Sequence, residues 1–68
     1  MGEAEVTAIL SVLREDRWLS EAVVMRRTRL QRPRLLEAIE PLVETGYVAV
    51  ATVQHTQTRP MRIYRRVA

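Results

Sequence analysis

The sequence predicts a small α+β domain in which three helices are followed by a two-stranded β-hairpin. Apolar residues recur at helical spacing through the first two thirds of the chain, and after Gly46 the pattern changes to that of strands. A length of 68 residues provides for one domain with one small core. We therefore treat residues 1–68 as a single domain.

Two helices are predicted in the first half of the chain. The first covers about residues 3–15, where four apolar residues form one helical stripe: Val6, Ile9, Leu10 and Leu13. Residues 17–19 are predicted as a connector. Ser20 is a suitable N-cap for a second helix that runs to about residue 27. A turn is predicted over residues 28–31.

A third helix is predicted to begin near Pro33, because proline is well tolerated in the first turn of a helix. Its apolar side consists of Leu35, Ala38, Ile39 and Leu42. Gly46 can adopt the left-handed conformation that commonly follows a helix, so we expect the helix to end there. Pro41 removes one backbone hydrogen bond inside the helix, and we expect a bend at this residue.

Two strands are predicted in the last third of the chain, over residues 47–53 and 61–67, with a polar turn over residues 54–60. The first is rich in β-branched residues, and the second alternates apolar residues with arginines. Because the chain has no phenylalanine, we expect Trp18, Tyr47 and Tyr64 to fill volume in the core or at its edge.

Composition excludes several classes of function. The chain has no cysteine and a single histidine, so we expect no disulfide, no metal site and no cofactor. We interpret that histidine, His55, as a solvated loop residue, and no catalytic constellation accompanies it. The apolar runs, residues 22–25 among them, are far too short to span a membrane. The expectation is a cytoplasmic protein that is not an enzyme.

Charge is distributed in alternating segments along the chain. Residues 17–34 contain six arginines against one glutamate, whereas residues 35–46 contain three glutamates and no basic residue. All 11 basic residues are arginine, and the net charge is +3. Because the planar guanidinium suits phosphates and guanine edges, this pattern favours a polyanionic partner.

The run LQRPRLLEAIEPLVETGYV, residues 30–48, resembles the third helix and wing entry of the winged helix-turn-helix family. The run RPMRIY, residues 59–64, is similar to the returning strand of the family's wing. This resemblance implies DNA binding, with the third helix in the major groove and the hairpin tip against the backbone or the minor groove.

Seven residues are the predicted contacts to double-stranded DNA. Their positions are those that meet phosphates and the first base edges in helix-turn-helix docking. We expect Arg32 and Arg34 to reach bases and Arg26, Arg27, Arg29 and Arg59 to contact phosphates, with Gln31 among them. The expected role is transcriptional regulation. A homodimer is predicted to pair through the first helix or the C-terminal strand.

A second interpretation is a winged-helix module that binds protein and not DNA. Three glutamates, Glu37, Glu40 and Glu44, share the outward side of the third helix and form an acidic surface that a protein partner can contact. The run LQRPRLLEAI is also similar to the third helix of small winged-helix proteins of bacterial ferrous-iron transport, whose wing cysteines this chain lacks. The sequence leaves the choice between the two interpretations open.

Overall fold

The computed structural model of the chain describes residues 3–54 and 59–67. It contains helices α1 (Glu3–Val12), α2 (Glu21–Thr28) and α3 (Arg32–Glu44) and strands β1 (Leu19–Ser20), β2 (Val48–Val53) and β3 (Met61–Arg66). The strands form an antiparallel sheet in the order β1-β3-β2. The predicted α+β class and its three helices are confirmed, but the sheet has three strands where two were expected.

The third strand lies in the segment predicted as a connector. Leu19 pairs with Tyr64 and Ser20 pairs with Ile63, which makes β3 the central strand. A two-residue strand is too short to show any alternation of polar and apolar residues, so the sequence pattern could not predict it. The first helix is also shorter than expected, because it ends at Val12 instead of continuing to residue 15.

Local capping interactions define the ends of α2. The Ser20 hydroxyl accepts a hydrogen bond from the Val23 backbone N–H at 3.3 Å, which confirms the predicted N-cap. The helix ends at Arg29, which has left-handed backbone angles of φ 62° and ψ 23°. Its N–H donates to the Met25 carbonyl oxygen at 2.8 Å. A non-glycine residue in this conformation costs about 1 kcal/mol.

Helix α3 is a single continuous helix that includes both prolines. Pro33 lies in its first turn, and the helix continues through Pro41 to Glu44. Pro41 and Glu37 are both exposed, so water can bond the Glu37 carbonyl that receives no N–H from Pro41. The bend at Pro41 stays a prediction. Gly46 follows the helix with φ 87°, as expected.

The core lies between the three helices and one face of the sheet. Its buried residues are Ile9, Leu13, Leu19, Val24, Leu35, Ala38, Ile39, Leu42, Val48 and Tyr64. Tyr64 is only 1% exposed, whereas Trp18 is 41% and Tyr47 52% exposed, so the expected packing is wrong for these two. The Arg65 guanidinium lies 5.3 Å from the centre of the Trp18 ring, a cation–π contact at the surface.

Replacing Gly46 with alanine tests the end of α3. The added Cβ meets no atom within 4 Å, so the only expected cost is the left-handed backbone conformation. We expect the free energy of unfolding to fall by about 1 kcal/mol, measured by urea titration. An unchanged stability would contradict the left-handed conformation of this residue.

Candidate functional site

The residues predicted to contact DNA lie where α2 ends and α3 begins. Arg26 and Arg27 are in the last turn of α2, and Arg29 occupies the turn that follows. Gln31 is the N-cap of α3, and its side chain makes no capping hydrogen bond. The first turn of α3 contains Arg32 and Arg34. All six side chains are exposed, so this end of the molecule presents five guanidinium groups.

One of these arginines is held by a carboxylate from another helix. The Nε atom of Arg32 lies 3.0 Å from Oε1 of Glu21, the first residue of α2. The Glu21 side chain is only 14% exposed. Its other oxygen, Oε2, accepts a hydrogen bond from the Tyr64 hydroxyl at 3.2 Å. The first residues of α2 and α3 are therefore joined to the central strand.

Tyr64 stays a hydrogen-bond donor in this network. Burial raises the pKa of Tyr64 above the ordinary value for a phenol, the hydrogen bond from Arg62 opposes that shift, and the Glu21 carboxylate adds to it. The same contact with Tyr64 raises the pKa of Arg62. At neutral pH the phenol is therefore protonated, and it donates to Glu21.

Arg34 points to a different part of the molecule. Its Nη1 atom lies 3.5 Å from Oε2 of Glu5 in α1. Residues two positions apart in a helix differ by about 200° around its axis, so Arg32 and Arg34 lie on opposite flanks of α3. The structure therefore places Arg32 beside the start of α2 and Arg34 beside α1, and does not bring their guanidinium groups together.

The remaining predicted arginines have no such carboxylate partner. Within residues 3–54 and 59–67, no ion pair involves Arg26, Arg27, Arg29 or Arg59. Arg59 is exposed and precedes β3. Residues 55–58 of the predicted polar turn, His55 among them, lie outside the described residues. These four arginines can approach phosphates without breaking a salt bridge.

The outward side of α3 is acidic, as the sequence predicted. Glu37, Glu40 and Glu44 are all exposed, and in the described ranges none of them forms a salt bridge. Beside them is a groove of about 510 Å³ between α3 and the β2–β3 face, lined by apolar side chains together with Glu40 and Arg62. Helix α3 is thus basic at its beginning and acidic over the rest of its exposed surface.

Glu21 is the site residue that sequence reasoning missed. In the sequence it stands out only as the single acidic residue within a basic segment. Its pairing with Arg32 depends on how α2 and α3 cross, and no local spacing rule covers residues 11 positions apart in two different helices. Its position directly after the N-cap was the one available signal.

No family model, no curated protein and no solved structure matches this chain. Among the described residues, no group of three or more histidine, cysteine, aspartate or glutamate residues could hold a metal ion. In the same part of the chain, no helix is long and apolar enough to cross a membrane.

Replacing Arg29 with glycine tests whether the Arg29 side chain contributes to the stability of the fold. Glycine adopts the left-handed conformation without strain, although it loses more backbone entropy on folding. The two effects together are expected to raise the free energy of unfolding by about 0.5 kcal/mol. Chemical denaturation measures this change. A loss of more than about 1 kcal/mol would show that the Arg29 side chain itself stabilises the fold.

Proposed function

We propose that this protein is a winged helix-turn-helix DNA-binding protein that regulates transcription by occupying its site on duplex DNA. The observation that carries the proposal is the set of exposed arginines around the junction of α2 and α3. In helix-turn-helix docking, this junction meets the phosphate backbone and the edge of the major groove. No chemical step is involved.

The order of the elements supports the family assignment. Three helices precede a β-hairpin, and the short strand between α1 and α2 pairs with the returning strand of that hairpin. Only Arg29, Leu30 and Gln31 separate α2 from α3, so the two helices form a tight helix-turn-helix unit. Arg59, two residues before the returning strand, is the proposed backbone contact from the wing.

The acidic side of α3 determines how the helix approaches DNA in this proposal. Glu40 and Glu44 oppose insertion of the whole helix, because phosphates repel carboxylates. The first turn of α3 has no acidic residue, and its N–H groups add partial positive charge. We therefore place only the N-terminal end of α3 in the major groove, with the glutamates directed away from the backbone.

A second candidate function is protein binding through the acidic side of α3. The observation that favours it is the groove between α3 and the sheet, which combines apolar lining with Glu40 and Arg62. Such a mixed surface is typical of ligand and peptide sites. The partner of that surface would be basic, because Glu40 lines the groove and Glu37 and Glu44 are exposed on the same helix. In this case the arginines at the helix junction would be a solvated surface.

Substituting Arg26 and Arg27 together with alanine tests the proposed function. The affinity for a random-sequence duplex is measured at several salt concentrations. Each phosphate contact contributes about −0.9 to the slope of log affinity against log salt, so the double variant is expected to flatten the slope by about 1.8. The matched control replaces Arg14 and Arg17, both exposed and outside the helix junction, with alanine. We expect the wild-type slope for this control.

Two outcomes would contradict DNA binding through the helix junction. One is the absence of binding at about 50 mM salt, where electrostatic binding is strong. The other is an equal effect of the two double variants, since that would mean that only the net charge of the protein matters. The protein-binding function would then take its place.

Replacing Glu40 and Glu44 together with glutamine tests the proposed orientation of α3. If the glutamates face away from the backbone but near it, removing both charges is expected to raise affinity for duplex DNA about two- to fourfold at low salt. The control removes two exposed carboxylates outside α3, by Glu3→Gln with Asp16→Asn. A tenfold gain would indicate that the glutamates lie against the phosphates, and a loss would indicate that they contact the DNA bases.

A further inference from the structure

Arg32 pairs with a mostly covered carboxylate that is itself hydrogen-bonded to a core residue. Glu21 is 14% exposed, and Tyr64, which donates to it, is 1% exposed. Both belong to regular elements, the first turn of α2 and the central strand β3. A carboxylate fixed in this way restricts the rotamers of the guanidinium it contacts, which lowers the entropy lost when that group binds.

The contact leaves most of the guanidinium available. Glu21 engages Nε of Arg32, and in the described part of the chain the two terminal nitrogens have no other hydrogen-bond partner. The Arg32 side chain is 65% exposed. Two N–H groups of arginine are what a bidentate contact to O6 and N7 of guanine requires. The Arg32 guanidinium therefore keeps the two N–H donors that a contact to a guanine edge needs.

Charge also distinguishes Arg32 from Arg26, Arg27 and Arg29. The Glu21 carboxylate offsets part of the positive charge of Arg32, so this arginine adds less to the attraction for phosphates in general. Arg26, Arg27 and Arg29 lie outside the described ion pairs and keep their full charge. An anchored, partly neutralised arginine suits sequence recognition, whereas unpaired arginines suit binding that is independent of sequence.

We propose that Glu21 is a positioning residue that holds the Arg32 guanidinium for recognition of one guanine in the major groove of duplex DNA. This inference rests on the proposed function and deepens it. Glu21 itself makes no contact with the DNA. Tyr64 supports Glu21 by occupying its second carboxylate oxygen, so the anchor extends into the core.

The first experiment identifies the guanine. Wild-type protein selects its preferred sites from a library of randomised duplexes. Each guanine of the selected duplex is then replaced in turn by 7-deazaguanine, which lacks the N7 acceptor. At one position we expect wild-type affinity to fall about tenfold, the loss expected when a bidentate arginine contact is broken.

The second experiment compares variants on that duplex and on a scrambled duplex of the same length. Glu21→Gln is expected to reduce the 7-deazaguanine effect to less than about threefold while binding the scrambled duplex as tightly as wild type or more tightly. A merely structural loss would weaken both. The matched control is Glu15→Gln, which removes a carboxylate paired with Arg66 at 3.6 Å and keeps wild-type discrimination.

Two further variants keep the test decisive where Glu21→Gln affects folding, which circular dichroism detects. Arg32→Lys keeps the charge but removes Nε and the planar fork, so discrimination is expected to weaken while affinity for the scrambled duplex stays. Tyr64→Phe keeps the buried ring, removes only the hydroxyl, and is expected to weaken discrimination in part. The double variant that combines Glu21→Gln with Arg32→Lys is expected to discriminate as well as Arg32→Lys alone, because the two residues act through one contact.

The outcomes separate the two proposals. If wild-type protein binds no duplex, DNA binding itself is overturned. If wild-type protein binds but shows no guanine preference, or if the folded Glu21 and Tyr64 variants keep the full 7-deazaguanine effect, the positioning role is overturned and DNA binding stands.

Discussion

The burial of Tyr64 in the central strand is the constraint on which the rest of the structure depends. A buried phenol must find a partner for its hydroxyl, and here the partner is the Glu21 carboxylate at the start of α2. Because β3 pairs with both β1 and β2, the position of Tyr64 also fixes the hairpin relative to the first strand. The Glu21–Arg32 ion pair then connects the first residue of α3 to Tyr64 through Glu21.

The arginines serve two physical purposes that composition cannot distinguish. Some are structural: Arg66 donates to the Leu10 carbonyl oxygen at 3.1 Å, and Arg65 donates to the Glu15 carbonyl oxygen at 3.1 Å while contacting Trp18. These contacts join β3 to the end of α1 and to the segment that follows it. At the α2–α3 junction, Arg26, Arg27 and Arg29 instead extend into solvent, outside the ion pairs of the described residues. A high isoelectric point alone could not assign either role.

Features with local causes were predictable from the sequence, and features that depend on helix packing were not. The Ser20 cap and the left-handed Gly46 follow from residue type and position alone. Strand β1 and the exposure of Trp18 depend on a neighbour far away in sequence. The same holds for the site: the exposed arginines were predicted, but their division between Glu21, Glu5 and open solvent required the structure.

The helix dipole favours the arginines at the end of α2 and disfavours those at the beginning of α3. Arg26 and Arg27 lie at the C-terminal end of α2, where positive charge stabilises the helix, so structure alone can account for them. In α3 the charges are reversed, with Arg32 in the first turn and Glu44 in the last. Each unfavourable placement costs about 0.3–1 kcal/mol, so helix stability does not explain it. Glu21 and Glu5 compensate by bringing carboxylates from α2 and α1 to the basic end of α3. The ion pairs with Glu21 and Glu5 thus hold arginines at a helix end where the dipole alone disfavours them, and they join α3 to α2 and α1.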